Sequence, residues 1–222
     1  MMTNKPLTVI LHGLHQNRLI TLPLARTLQK DGFDTVRYGY ASLGDPIARH
    51  SERLHQWLLT HHNPKRPLNL VGHSLGGLII RHFIHTYPQW QIHRCVSLGT
   101  PHQGSVCANY IKQWCSPLVG HAYVGALDGT CPPLPNGIEM GVIAGDKPMG
   151  VGVAFLTYHN FRYKHSSLTV TGGHDGTVYL SESVLENATD YLVMPVTHSQ
   201  FLIDKTVAWQ VGQFLKFGRF AR

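Results

Sequence analysis

The stretch that decides the fold is "LNLVGHSLGGLIIR", residues 68–81. An apolar run is followed by Gly-His-Ser-Leu-Gly-Gly, and then by a second apolar run. Gly72–Gly76 fits the pattern G-x-S-x-G, which holds a serine on a sharp turn between a strand and a helix. The turn leaves no room for flanking side chains, and the helix directs its N-terminal N–H groups toward the serine hydroxyl. Ser74 is therefore the predicted nucleophile.

Size and charge limit the functions that this chain can have. The chain has 222 residues, 43% of them hydrophobic, which is enough for one sizeable core. We expect a single domain over 1–222. The formal charge is +7, from 19 Lys and Arg against 12 Asp and Glu. Because the basic residues are dispersed, we expect no nucleic-acid binding, whereas a weak contact with an anionic membrane surface remains an expectation. The sequence does not indicate an oligomeric state.

Neither a targeting segment nor the spacing of the cysteines indicates export, a membrane span or a metal site. The apolar part of the first residues is too short for a secretory signal, and no segment offers the ~18 apolar residues of a spanning helix. We therefore expect a cytoplasmic location. The four cysteines show no C-x-x-C spacing, so we expect no zinc site and no other metal. Reduced thiols are expected, with one disulfide among three of them as the alternative: Cys107, Cys115 and Cys131.

Short apolar runs alternate with helical patterns along the chain. The alternation predicts an α/β fold with a mostly parallel sheet of six to seven strands and helices on both faces. The second helix is predicted to have Asp45 as its N-cap and Pro46 at its first position. The predicted strands are 7–11, 35–40, 68–72, 95–99, 140–145 and 191–196. The predicted helices lie within 20–32, 45–62, 75–87 and 204–217.

Three polar segments follow predicted strands. They are "HGL" (12–14), "GHS" (72–74) and "GTPHQGS" (99–105). In parallel sheets ligands bind beyond the carboxyl ends of the strands, so these segments are expected to meet at one edge of the sheet. His12 and His102 are therefore candidates for lining a substrate site.

Residues 104–139 interrupt the alternation. This Pro- and Gly-rich excursion holds one helical pattern, "SVCANYIKQW", whose apolar stripe includes Tyr110 and Trp114. Two interpretations stay open: a surface excursion whose stripe packs on the body, or a lid whose stripe contacts an apolar substrate. In the second case Tyr110 and Trp114 would bind substrate. A second irregular stretch is predicted over 147–164.

A serine nucleophile needs a base, and the base needs a carboxylate that orients it. His198 follows the last predicted strand and precedes the last helix, at the same edge as Ser74. Asp175, in "GGHDGTV", is flanked by glycines and is the predicted acid. Asp146 follows a strong predicted strand and is the alternative acid. Asp128 lies in the irregular excursion and fits less well.

Acyl transfer also needs two donors for the developing oxyanion. The backbone N–H of Leu75, directly after the nucleophile, is the first candidate. The backbone N–H of Leu14, after "HG" in "ILHGLHQ", is the second. Because both donors belong to the main chain, their side chains need only be apolar.

Taken together, these motifs resemble the α/β-hydrolase superfamily, and within it the small bacterial lipase-like hydrolases. The resemblance covers nearly the whole chain. It depends on "HG" (12–13), "GHSLGG" (72–77), "LGTPHQGS" (98–105), "DGTV" (175–178) and "THSQF" (197–201). The chain departs from this group at position 174, where His replaces a frequent Asn, and in an enlarged stretch over 149–171.

The resemblance implies hydrolysis of carboxylic esters, through an acyl-enzyme and without metal or organic cofactor. The triad order and the apolar stripe of the 104–139 excursion favour esters of apolar acyl chains. Ser74 would attack, His198 would carry the proton, and Asp175 would orient His198. Thioester or amide hydrolysis and acyl transfer use the same machinery and remain alternatives. A non-catalytic binding module on the same scaffold is a further alternative, since fold does not fix function.

Overall fold

A computed structural model describes residues 5–170 and 172–222. Its centre is one sheet of six parallel strands in the order β2-β1-β3-β4-β5-β6. All six predicted strands are confirmed, with ends that agree within three residues. The strands are β1 Leu7–Leu11, β2 Asp34–Tyr38, β3 Leu68–His73, β4 Ile92–Leu98, β5 Met140–Gly145 and β6 Asp190–Met194.

The burial of the strands follows their place in the sheet. β1, β3 and β5 are buried along their whole length, as continuous apolar runs require when both faces of a sheet are covered. The edge strands β2 and β6 are half-exposed. The carboxyl ends of β1, β3 and β4 therefore come together at the middle of one sheet edge, where the three polar segments begin.

Helices cover both faces of this sheet. The helices are α1 Leu22–Lys30, α2 Ile47–His61, α3 Leu75–Thr86, α4 Val106–Cys115, α5 Val153–Arg162 and α6 Lys205–Phe217. On one face, Ile10 of β1 packs in a cluster with Leu28 of α1 and Val211 of α6. On the other face, Leu11 of β1 packs in a cluster with Leu54 of α2 and Ile79 of α3. The chain thus has the predicted α/β architecture.

Two local predictions were wrong. Asp45 is not the N-cap of α2, because Pro46 holds that position and Asp45 instead pairs with Arg53 at 2.9 Å. The stretch predicted to be irregular over 147–164 contains α5. Only Leu156 of this helix is buried, so the sequence carries no periodic apolar stripe to reveal it.

The excursion over 104–139 contains α4, a series of short turns and an irregular return to β5. α4 packs against α5, and the ring of Tyr110 lies nearly parallel to that of Phe155. We call α4 and α5 together the cap pair. No helix in the described ranges is both long enough and apolar enough to cross a membrane. The four cysteines, all within those ranges, are unpaired.

Candidate active site

Ser74 occupies the turn between β3 and α3 in a left-handed conformation, with φ +53° and ψ −120°. L residues rarely adopt this conformation, so surrounding contacts must maintain it. Its N–H donates to the carbonyl of Leu98 (2.9 Å), and its carbonyl accepts the hydroxyl of Thr100 (3.0 Å). These two bonds tie the strained residue to β4 and to the loop that follows it.

The glycines around Ser74 are required by close packing. A Cβ on Gly72 would lie 2.5 Å from backbone atoms of Gly76 and Gly77. A Cβ on Gly76 would lie 2.7 Å from the carbonyl oxygen of His12, and one on Gly77 would lie 2.1 Å from Thr100 Oγ1. Real Cβ atoms do not approach so closely, which explains the glycines of "GHSLGG".

His198 and Asp175 are in contact although their positions in the sequence differ by 23. His198 Nδ1 lies 2.7 Å from Asp175 Oδ2, and the His198 backbone N–H donates to the Asp175 carbonyl at 2.8 Å. The other carboxylate oxygen of Asp175 accepts the N–H groups of Thr177 and Val178. Asp175 is 1% exposed. Because a carboxylate can only accept here, Nδ1 carries the proton and Nε2 is left free to act as a base.

The alternative acids are placed elsewhere. The side chain of Asp146 is exposed just after β5, and its backbone N–H donates to Met194. The carboxylate of Asp128 accepts hydrogen bonds from Gly125 and Thr130 within its own turn. In the described structure, Asp175 is thus the one of the three that contacts His198.

Ser74 Oγ is not hydrogen-bonded to His198 in the conformation described. Catalytic hydrogen bonds are often long in unliganded enzymes and shorten when substrate binds. The two residues are linked through His73, whose ring centroid lies 4.8 Å from that of His198. His73 is buried, and burial together with the neighbouring His198 lowers its pKa to about 3. The His73 ring is therefore neutral at physiological pH.

The loop after β1 passes directly over the serine turn. A Cβ on Gly13 would lie 3.1 Å from Ser74 Cβ and 3.0 Å from His73 Nδ1. The Gly13 N–H donates to Gln16 Oε1 at 2.8 Å, which fixes the start of the loop. Leu14 comes next and is half-buried, whereas Leu75 is buried at the first position of α3. Both oxyanion candidates therefore lie on backbone that adjoins the Ser74 turn.

His12 and His102 are both buried in hydrogen-bonded settings. The ring of His12 stacks on Tyr40 with centroids 4.2 Å apart, and burial lowers its pKa. His102 Nε2 lies 2.9 Å from the hydroxyl of Ser97, and Arg81 donates to the His102 carbonyl. Burial, with a smaller contribution from Arg81, lowers the pKa of His102 to about 3. These neutral rings fix the loops that carry them.

Tyr110 and Trp114, the other two candidates for substrate contact, lie on the cap pair. Tyr110 is buried against α5, and its hydroxyl lies 3.2 Å from His159 Nδ1. Trp114 packs edge-on against Phe155 but leaves 67% of its surface exposed. Of these two side chains, Trp114 is the one that faces solvent.

Three further residues support the site but are not evident from sequence motifs. Gln16 holds the loop after β1, Tyr40 holds His12, and Glu182 is a buried carboxylate beside the loop of Asp175. Tyr40 donates its hydroxyl to the His12 carbonyl at 2.6 Å. No sequence motif marks these residues, and two of them have a partner far away in sequence: Tyr40 contacts His12, and Glu182 contacts Val106.

A family-model comparison matches residues 6–115 to the α/β hydrolase fold. The match includes β1, the loop after it, and the whole serine turn. The chain has the α/β hydrolase fold.

Several solved structures of other proteins resemble this chain over most of its length. The mature form of the Bacillus licheniformis lipase BlEst2 matches with a TM-score of 0.73 and 20% identity, over 97% of this chain and 93% of that one. A metagenomic carboxyl esterase matches with a TM-score of 0.64 and 16% identity, over 89% of this chain and 66% of that one. Phospholipase PlaB from Legionella pneumophila, in complex with thio-NAD, matches with a TM-score of 0.68 and 15% identity, over 92% of this chain and 54% of that one.

At these low sequence identities, the similarity to the three solved structures establishes the fold of the chain. The chain spans nearly all of the mature Bacillus lipase but only about two thirds and half of the other two structures. By sequence, no curated protein matches it.

Proposed function

We propose that this α/β hydrolase cleaves carboxylic esters of apolar acyl chains with a triad of Ser74, His198 and Asp175. The observation that carries the proposal is the 2.7 Å contact between His198 Nδ1 and the buried Asp175 carboxylate, beside a serine held at φ +53°. A serine fixed on a sharp turn and an imidazole oriented by a carboxylate are the groups that acyl transfer requires.

In the first half of the reaction, His198 Nε2 accepts the proton of Ser74 while Ser74 Oγ attacks the ester carbonyl. The carbonyl oxygen becomes an oxyanion, and the N–H groups of Leu14 and Leu75 stabilise it. Asp175 stabilises the imidazolium that forms. The tetrahedral intermediate then collapses, His198 gives its proton to the departing alcohol, and the acyl group remains on Ser74.

In the second half, a water molecule replaces the alcohol. His198 Nε2 accepts a proton from this water, whose oxygen attacks the acyl carbonyl. The same two N–H groups stabilise the second oxyanion. Collapse releases the carboxylic acid and returns the proton to Ser74. The proposed cycle uses side chains of this chain, its backbone and water.

The surface around the cap pair supports an apolar acyl substrate that is presented at a lipid surface. Residues 147–170 contain three Lys or Arg and no Asp or Glu. Exposed cations beside exposed apolar side chains are typical of surfaces that bind anionic lipid. The large exposed apolar residues here are Trp114, Met149, Val151, Phe161 and Leu168. A lipase and a phospholipase are among the solved structures that this chain resembles, which supports this proposal.

The test is turnover of p-nitrophenyl esters from acetate to palmitate by the wild type and by Ser74→Ala. We expect turnover by the wild type and none above background by Ser74→Ala. Full activity in Ser74→Ala would contradict the proposal. A parallel series of acyl thioesters separates the alternatives, because a large preference for the thioester would assign a thioesterase instead.

A further inference from the structure

Glu182 is a carboxylate in an unusual position. It is only 7% exposed, and the structure provides no cation in contact with it among the described residues. Both of its oxygens accept backbone N–H groups instead: Oε1 from Val106 at 2.5 Å, and Oε2 from Tyr179 at 2.8 Å. A buried charge is costly unless it is well satisfied, so this arrangement calls for a reason.

The two donors belong to different functional segments. Val106 is the first residue of α4, so Glu182 satisfies one of the free N–H groups at the positive end of the first cap helix. Tyr179 follows the turn in which Asp175 Oδ1 accepts the N–H of Val178. We call residues 175–178 the acid turn. One carboxylate therefore holds both the start of α4 and the residue that follows the acid turn.

Other contacts strengthen the same connection. Gln103 donates its backbone N–H to the Glu182 carbonyl at 2.9 Å and its side-chain amide to the Val184 carbonyl at 2.9 Å. The hydroxyl of the fully buried Tyr179 donates to the carbonyl of Leu156 in α5 at 2.9 Å. The acid turn is thus bonded to both helices of the cap pair.

We propose that Glu182 is a positioning residue, which holds the Asp175 turn against the cap pair and so keeps Asp175 in place beside His198. The inference rests on the proposed function and adds a second carboxylate to its machinery. Glu182 acts through Asp175 and His198 and does not contact the reacting atoms.

The electrostatics around Glu182 agree with this role. Burial raises the pKa of Glu182 to about 7, although the two N–H donors and His198 counteract the rise and Asp175 adds to it. The other titratable groups that face it are Cys107 and Tyr179, and burial raises the pKa of each to about 12. Both stay neutral near pH 7, so the polar groups that satisfy Glu182 are the two backbone N–H groups.

The test compares Glu182→Gln with the wild type in kcat and KM. Glutamine keeps the shape but offers only one acceptor, so its NH₂ faces one of the two N–H donors. We expect kcat to fall about 10- to 100-fold with KM changed less than about 3-fold, as for a small misplacement of a catalytic group. Glu182→Asp, which keeps both acceptor oxygens on a shorter side chain, should recover part of the lost kcat. Glu186→Gln, at an exposed glutamate nearby, is the control and should match the wild type.

A purely structural role would lower thermal stability and leave kcat of the folded protein at the wild-type value, and that result overturns the proposal. If Glu182→Gln does not fold, Glu182→Asp is measured alone and should show a reduced kcat with KM changed less than about 3-fold; a wild-type kcat in folded Glu182→Asp also overturns the proposal. Activity that persists in Ser74→Ala contradicts the proposed function itself. Loss of activity in Ser74→Ala with wild-type kcat and KM in Glu182→Gln contradicts the role of Glu182 alone.

Discussion

His73 Nε2 lies 2.9 Å from the carbonyl oxygen of His198, and their rings pack with centroids 4.8 Å apart. Because a carbonyl only accepts, the neutral His73 ring must carry its proton on Nε2. The other ring nitrogen, Nδ1, is then an acceptor, so its 3.1 Å approach to Gln16 Oε1, which accepts the N–H of Gly13, is a packing contact. His73 therefore donates to the loop of the proposed base and packs against the loop of the proposed oxyanion donors.

This connection predicts that His73→Ala lowers kcat about 10-fold or more, because the His198 carbonyl loses its donor and the His198 loop loses a fixed position. KM for a short ester should change little, because His73 is buried behind the turn. Steady-state kinetics check the prediction. His85→Ala, at an exposed histidine of α3, is the control. Equal kcat values for the two variants would show that the connection has no catalytic effect.

The packing around the serine turn predicts a large cost for a single methyl group. Gly77→Ala would place Cβ 2.1 Å from Thr100 Oγ1, so we expect a loss of about 1–3 kcal/mol in the free energy of unfolding. Gly44→Ala, whose Cβ would meet its nearest atom at 3.5 Å, should change this free energy by less than about 0.5 kcal/mol. Urea unfolding measures both. Similar stabilities would mean that the turn has more room than the structure describes.

The buried histidines predict acid sensitivity. Burial holds the pKa values of His73 and His102 at about 3, whereas histidines in an unfolded chain titrate near 6.5. Their contribution to stability is therefore complete above about pH 6.5 and is lost as the pH falls toward 3. Each proton taken up on unfolding changes stability by about 1.4 kcal/mol per pH unit. His12 and His50, whose pKa values burial also lowers, act in the same direction.

Glu182 acts in the opposite direction, because its pKa is raised to about 7 in the folded state. Its contribution is present below about pH 4.3 and is lost as the pH rises through 7.

The neutral, buried ring of His102 predicts a change in this pH dependence when it is replaced. Between about pH 4 and 6, His102→Asn should take up about one proton fewer on unfolding, so its free energy of unfolding should depend less on pH. Urea unfolding across this range measures the slope, with His85→Asn as control. An unchanged slope in His102→Asn would contradict the assigned neutrality of His102.

The surface of the cap pair predicts binding to anionic vesicles. Phe161 and Val151 are exposed apolar residues beside the cations of 147–170, so Phe161→Ser with Val151→Ser should weaken binding to phosphatidylglycerol vesicles about 10-fold or more. Cosedimentation at two salt concentrations measures the affinity and its electrostatic part. Leu59→Ser, at an exposed leucine of α2, is the control. Wild-type binding by the double variant would place any lipid contact elsewhere.

Periodic and local features of this protein could be predicted from its sequence. β1 and β5 were predicted with the observed bounds, because buried parallel strands are continuous apolar runs. β4 begins three residues earlier than expected, because Ile92–Arg94 lies at its half-exposed start and lacks an apolar pattern. α5 was missed because its helix buries one residue, and tertiary contacts with α4 rather than its own pattern stabilise it.

The supporting residues of the site could not be predicted because their partners are remote. Glu182 is 76 residues from Val106 in sequence, and His73 is 125 residues from His198. Motifs identify groups that chemistry requires at a fixed spacing, such as Ser74 between its glycines. They do not identify groups whose role depends on which loops meet in the folded chain.

The central claim, that Ser74 is activated by His198 and Asp175, is tested most directly by labelling with a fluorophosphonate and mapping the adduct by mass spectrometry. We expect one adduct, on Ser74, whose formation is lost in His198→Ala, slowed at least about 100-fold in Asp175→Asn, and unchanged in Asp146→Asn. An adduct on another residue, or equal labelling rates in the wild type and His198→Ala, would contradict the claim. A wild type that stays unlabelled with and without detergent would instead assign a non-catalytic binding protein.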